Sequence, residues 1–236
     1  MPRRFVIDPQ VAELFPELEI GILVVHGLDN RKRPGREFDQ LLAEGIRESG
    51  PHLAAPEFAS NPAVSTWREA FKRFKTRKGA RSSIEALLKR IANGHPVGSI
   101  NPLVDIYNFI SMKYAIPCGG ETLGAIQGDL ALTVAAGGEP FRPLGAEADD
   151  PALPGEVIYR DDEGAVCRCF NWREAQRTLL TEATTEAILV MEQVDGTRSR
   201  DLEAALAELG GLVRNHLGGQ AEMRVLKGAG SMEMAP

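Results

Sequence analysis

Three places in this 236-residue chain gather side chains able to act on a polar ligand. The first begins at Asn101. Asn101, Asp105, Asn108 and Ser111 recur at intervals of four, three and three, which sets them on one helix face. Around them lie Leu103, Val104, Ile106, Phe109, Ile110 and Met112. Short polar groups on so apolar a helix are costly to bury unless each is hydrogen-bonded. The stripe therefore either ties the helix to neighbouring loops or lines a pocket.

The second place is Cys167-Arg168-Cys169-Phe170-Asn171-Trp172-Arg173-Glu174, which reads as a strand presenting Asn171, Arg173 and Glu174 at its end. Arginine forks and asparagine amides suit a carboxylate, a phosphate or an ester carbonyl. A surface ion-pair cluster beside a core tryptophan would use the same residues. The third is Glu192, a lone acid in the run Ile188-Leu189-Val190-Met191-Glu192. It either faces water from an edge or is buried with a partner and a perturbed pKa.

Charge is unevenly spread. The chain carries −6 overall, which argues against indiscriminate binding to nucleic acid. From Trp67 to Arg90, however, Arg68, Lys72, Arg73, Lys75, Arg77, Lys78, Arg81, Lys89 and Arg90 face only Glu69 and Glu85. This segment is net +7 and the remainder −13. It suits phosphates, or is simply a solvated helix face.

The elements that must position these groups follow from pattern. Phe5-Val6-Ile7 and Ile20 to Val25 read as strands, the second buried. A helix is predicted over Glu37 to Glu48, with Phe38, Leu41, Leu42 and Ile46 on one face. Proline-rich Pro51 to Pro62 is a loop, and Ser65 is a candidate cap for a helix at Thr66 or Trp67. Ser82 with Glu85 is a capping box opening a helix to about Ile91, ended by Asn93-Gly94. Asn101-Pro102 starts another, to about Tyr114. Strands follow at Leu130 to Ala135, Glu156 to Tyr159, Ala165 to Phe170 and Ile188 to Val194. An amphipathic helix, Ser199 to His216, precedes a strand at Glu222 to Leu226. Residues 1–227 are expected to form one domain and 228–236 a flexible tail.

With 43% hydrophobic and 25% charged residues the composition is that of a globular protein. No apolar run reaches the length of a membrane span, and an acid interrupts the N-terminus before a signal-peptide core forms. Cys118, Cys167 and Cys169 are too few for a disulfide framework, so a cytoplasmic protein is expected. A metal site from these thiols lacks a nearby fourth ligand, since His26, His52, His95 and His216 are scattered, and none is expected. A serine hydrolase is disfavoured by the absence of a G-x-S-x-G elbow.

The residues Ile100-Asn101-Pro102-Leu103-Val104-Asp105-Ile106-Tyr107-Asn108-Phe109, then Ile116-Pro117, resemble the I-N-P-x-V-D-x-T-N-Y…Q-P-L-H signature of the B3/B4 editing domain in the phenylalanyl-tRNA synthetase β chain. Thr181-Glu182 and Thr184, then Leu189 and Glu192, are similar to its later T-E-x-T…L-L-E segment. The overlap runs from about Ser82 to Glu192. The resemblance implies an α+β fold with a central mixed sheet flanked by helices, and hydrolysis of tyrosine wrongly esterified to phenylalanine tRNA. The family's pocket glutamate falls on Glu192. Its pocket threonine falls on Tyr107 and its histidine on Gly119, and its A-G-x-M-G-G stretch lies near Cys167 to Trp172. These departures imply a remodelled pocket without tyrosine specificity.

Deacylating an aminoacyl ester needs an oriented water and donors for the oxyanion more than a strong nucleophile. The expected catalytic set is Asn108, Asn171 and Arg173. Asn101, Asp105, Tyr107, Gly119, Arg168 and Glu192 would bind the amino acid, and Arg68, Lys72, Arg73, Lys75, Arg77, Lys78 and Arg81 the acceptor stem of tRNA. No cofactor is expected. The alternative is a non-catalytic binder of tRNA or of an amino acid on the same scaffold.

Overall fold

The computed structural model describes residues 3–234. Its elements in chain order are β1 (Arg4–Ile7), α1 (Pro9–Leu14), β2 (Glu19–His26), α2 (Glu37–Glu48), α3 (Pro62–Ala70), α4 (Ser83–Ala92), α5 (Pro102–Tyr114) and β3 (Cys118–Thr122). They continue with β4 (Leu130–Val134), β5 (Val157–Arg160), β6 (Ala165–Arg168), β7 (Arg173–Glu174), β8 (Glu186–Gln193), α6 (Ser199–Leu217), β9 (Gln220–Lys227) and β10 (Gly230–Glu233).

The fold is α+β, and the mixed sheet is present: six strands in the order β10-β1-β4-β5-β6-β7, with β1 and β4 parallel and the rest antiparallel. A second sheet, β3-β8-β2-β9, is antiparallel throughout. Its central strand β2 shows why. Ile20, Ile22 and Val24 enter the cluster shared with Phe5, Leu130, Tyr159 and Ile188, while Leu23 and Val25 join α5 and α6 on the other face. A strand buried on both faces must be apolar at every position, as this one nearly is. The four-stranded sheet thus separates an inter-sheet core from a helical layer, so each residue's parity decides which compartment it reaches.

Local signals explain most element ends. The Asn101 Oδ1 accepts the Val104 N–H at 3.1 Å, Pro102 occupies the first turn, and Ala115 leaves α5 at φ 47°. The Ser82 hydroxyl accepts the Glu85 N–H, opening α4. The cap expected at Ser65 lies one turn too late: Asn61 precedes α3, with Pro62 in its first turn. The Asn61 side chain instead takes the Ala55 N–H and donates to Phe58, holding the preceding loop.

The expected flexible tail is also corrected as far as residue 234. Gly230 to Glu233 pair with β1, and Met232 and Met234 bury their side chains in the inter-sheet core. Alternating burial of two methionines supplies the apolar contact that a loose tail would forgo. No helix among the described residues is long and apolar enough to cross a membrane.

Candidate functional site

Between the sheets lies a narrow cavity of about 40 Å³. The β3 edge contributes Cys118, Gly119, Gly120 and Glu121, while β8 contributes Ile188, Val190 and Glu192. The opposite wall is Leu130, Tyr159, Cys167, Asn171 and Glu174, and Ser83 reaches it from the first turn of α4. Register explains the composition. Gly119 stands opposite Val190 and Glu121 opposite Ile188, so alternate residues of β3 share the face that carries Glu192. Gly120 points the other way, where a Cβ would meet the Leu189 side chain at 2.1 Å and force it to move. At Gly119 a Cβ would press on the Glu174 carboxylate at 3.3 Å, so the glycine lets that acid lie close against the strand. Ser83, Gly119 and Glu174 are half-buried while the other lining residues are buried, which places the mouth at those three.

The floor is Glu192, 1% exposed. Its carboxyl accepts from the Tyr159 hydroxyl at 3.0 Å and from the Asn171 amide at 3.3 Å. Burial pushes its pKa up to about 8 against those two donors, with Glu174 adding to the rise. Burial likewise raises Glu174 to about 7, opposed by the Gly120 N–H, and lifts Glu121 well above the carboxylate range, helped by Glu174. Burial also raises the Cys118 and Cys167 thiols, so neither is a ready thiolate.

Asn171 owes its position to an uncommon turn. Cys169 and Phe170 both have positive φ, 46° and 64°. A left-handed backbone at two bulky residues costs on the order of 1–3 kcal/mol each and persists only where packing enforces it. Here Phe170 is fully buried, its ring 5.3 Å from Trp67 and 5.7 Å from Phe15, both edge-on. The turn delivers the Asn171 Nδ2 to Glu192 and its Oδ1 to the Ser83 N–H at 3.1 Å, joining pocket floor and helix start through one amide.

Of the residues singled out from sequence, Gly119, Asn171 and Glu192 meet at this cavity. Asn108 does not: α5 packs on the far face of the four-stranded sheet, where Asn108 is half-buried. Tyr107 is buried in the same layer, its phenol raised by burial and then by Glu174, Cys118 and Glu121. Asn101 and Asp105 hold loops, because Asn101 bonds Asn30 and the Leu180 carbonyl while Asp105 accepts from Ser99 and the Ile100 N–H. The polar stripe is thus a structural network apart from the cavity. Arg173 is exposed and stacks on Trp172 at 4.7 Å. Arg168 is fully buried, doubly bonded to Glu156 at 2.6 and 2.8 Å and bridged to Asp150.

Glu121, Glu174, Ser83, Tyr159 and the two thiols were not assigned to the site from sequence. Glu174 had a signal, standing at the predicted strand end. Glu121 had none, because Cys118-Gly119-Gly120-Glu121 does not read as a strand.

The basic segment spans the end of α3, the following loop and α4. Arg68 pairs with Glu85, Lys72 with Glu69 and Arg77 with Asp150. Arg73 donates to the Leu14 carbonyl and lies over Phe15. Lys75, Lys78 and Arg81 are exposed. A groove lined by Arg68, Lys72, Arg81 and Lys89 reaches Ser82, one residue from the cavity mouth.

Comparison with known proteins now adds the family. The family model described as B3/4 domain matches residues 66–207, more than half of the chain, and the chain belongs to that family. Among solved structures it is similar to an N-terminal fragment of the phenylalanyl-tRNA synthetase beta-subunit from Pyrococcus horikoshii. Identity is 11% and the TM-score 0.40, over 94% of this chain and 49% of that one. The chain thus spans about half the length of that structure. No curated protein matches it.

Proposed function

We propose that this protein receives the aminoacylated 3′ end of a tRNA supplied in trans and hydrolyses the ester of a mischarged amino acid. The observation that carries this reading is an acid-lined cavity whose mouth adjoins a basic groove. Phosphates on Lys75, Lys78 and Arg81 would bring the terminal nucleotide to Ser83, while the amino acid enters toward Glu192. Phosphate contacts give affinity without reading sequence.

Glu174 takes the role of general base. At about 7 its pKa leaves it partly ionised at neutral pH, the condition in which a carboxylate both accepts a proton from water and returns it. Asn171 holds Glu192 and the start of α4 in register and positions the floor. This set replaces Asn108 and Arg173, which lie outside the cavity, with groups that line it.

A second reading is favoured by one observation: among the described residues no lysine or arginine lines the cavity to stabilise an oxyanion. On that reading the protein binds the aminoacyl end without cleaving it. Incubation with a panel of mischarged tRNAs separates the two. The catalytic reading expects ester loss that follows Glu174 ionisation, rising with pH to a plateau above about 7, and abolished by Glu174→Gln. Binding of charged tRNA with no cleavage of any ester would establish the second.

A further inference from the structure

β9 is the last strand of the four-stranded sheet, on the side away from the cavity. The Gly228 N–H donates to the Leu18 carbonyl, which fixes the parity of the β2–β9 ladder. Gln220, Glu222, Arg224 and Leu226 therefore bond inward to β2, while Ala221, Met223, Val225 and Lys227 turn their N–H and C=O groups outward. Among the described residues no backbone group outside the ladder bonds to them. Natural sheets blunt such an edge with a short strand, a proline, a bulge or charges. β9 is eight residues long, carries no proline and keeps an unbroken register with β2, so only its charges remain to be weighed.

Those charges match under a twofold axis. Lys227 is taken by Glu19 at 2.8 Å, whereas Glu222 and Arg224 are exposed and make no ion pair among the described residues. They share one face of β9, on either side of Met223. An antiparallel second copy whose Met223 lies opposite this Met223 sets Glu222 against Arg224 twice, once on each side of the axis. These are non-hydrogen-bonded pairs, in which side chains approach most closely. The outward parity permits only shifts of two residues, and the first shift either way sets Arg224 against Arg224 or Glu222 against Glu222. On the other face Ala221 meets Val225, and Met223, 37% exposed beside Gly210 of α6, is covered by its twin. Charge and parity select one register, and the strand that fits it is β9 itself.

We propose that two copies of this chain pair edge to edge through β9, joining their four-stranded sheets into one of eight strands. The order is then β3-β8-β2-β9 followed by the same four in reverse. Both β3 strands stay at the outer edges, roughly 34 Å apart across the sheet at the usual strand spacing. Each cavity is left open, and the pairing holds whether or not the cavity takes an aminoacyl group.

The test is analytical ultracentrifugation of the full chain and of charge reversals, each checked for folding by circular dichroism. The wild type is expected to dimerise. Glu222→Arg or Arg224→Glu sets like charges across both pairs and should weaken the dimer about tenfold or more. Mixing the two single variants in equal amounts, or combining both changes in one chain, puts opposite charges face to face again and should restore it. Amide exchange is expected to slow at Ala221, Met223 and Val225 only where the dimer is populated. A wild type that stays monomeric at about 1 mM overturns the proposal and leaves the edge to some other chain. A dimer indifferent to both reversals overturns it too. So does a dimer that the single variants weaken and neither mixing nor doubling rescues, because the register is then wrong.

Discussion

Arg168 and Glu192 head two buried polar clusters in the same half of the molecule, and the clusters are finished in opposite ways. Around Arg168, its guanidinium is held by Glu156 and Asp150, and Asp150 also pairs with Arg77, so two cations face two acids. Around Glu192, three carboxyls share a space with neutral donors alone, namely Tyr159, Asn171, the Gly120 N–H and the Thr178 hydroxyl. A closed set of partners welds strands together. An open set is costly in the empty protein and complementary to something absent from it. The difference fits a structural role for the first cluster and the proposed binding role for the second, although both began as a charged residue in an apolar strand.

The largest effect expected on that comparison comes from the closed cluster. Arg168→Met strands Glu156 in the core and is expected to cost about 3–5 kcal/mol in urea unfolding. A loss below about 1 kcal/mol would show that the pair contributes little and that Arg168 is available for a ligand.

Removing charge from the open cluster should act the other way and depend on pH. Glu192 has a folded pKa near 8 against an ordinary value of 4.5. The unfolded chain therefore binds fewer protons between those values, and stability falls as pH rises through that window. Glu192→Gln is expected to match the wild type near pH 4.5 and to exceed it by on the order of 3 kcal/mol at pH 8, with deacylation lost. A pH-independent difference would place the carboxyl in water.

Gly119→Val tests the space itself. A β-branched residue suits a strand and would fill the mouth beside Glu174. Stability should change by less than about 1 kcal/mol while turnover per unit substrate falls roughly tenfold or more. Wild-type turnover would move the mouth elsewhere. The smallest effect belongs to the rim: Lys78→Ala or Arg81→Ala should each lower the salt slope of tRNA binding by about 1, equally for all sequences.

Much of the scaffold was legible because its signals are local. The α2 limits, the Asn101-Pro102 start and the doubly apolar β2 each follow from a cap, a proline or a period. The polar stripe of α5 marked real burial but not a ligand site, because its partners, Asn30, Leu180 and Ser99, come from loops that no periodicity locates. Three strands were not expected, the two-residue β7 and two more that share a reason. Cys118 to Thr122 carries two glycines, and Gly230 to Glu233 is short and polar, so neither shows strand character until its partner is in place. Missing β3 meant missing Glu121, half of the acid pair that gives the cavity its sign.

The paired left-handed residues Cys169 and Phe170 give the cavity walls unequal freedom. Wedged among aromatic rings, that corner has no glycine to swing on, so the wall bearing Asn171 is stiff. Facing it, β3 is the last strand of its sheet and holds neighbours along one side only. Adjustment to a guest must therefore come from β3 sliding or twisting. Changes in what this protein accepts would accordingly accumulate along Gly119 to Glu121, leaving the aromatic corner as the fixed jaw.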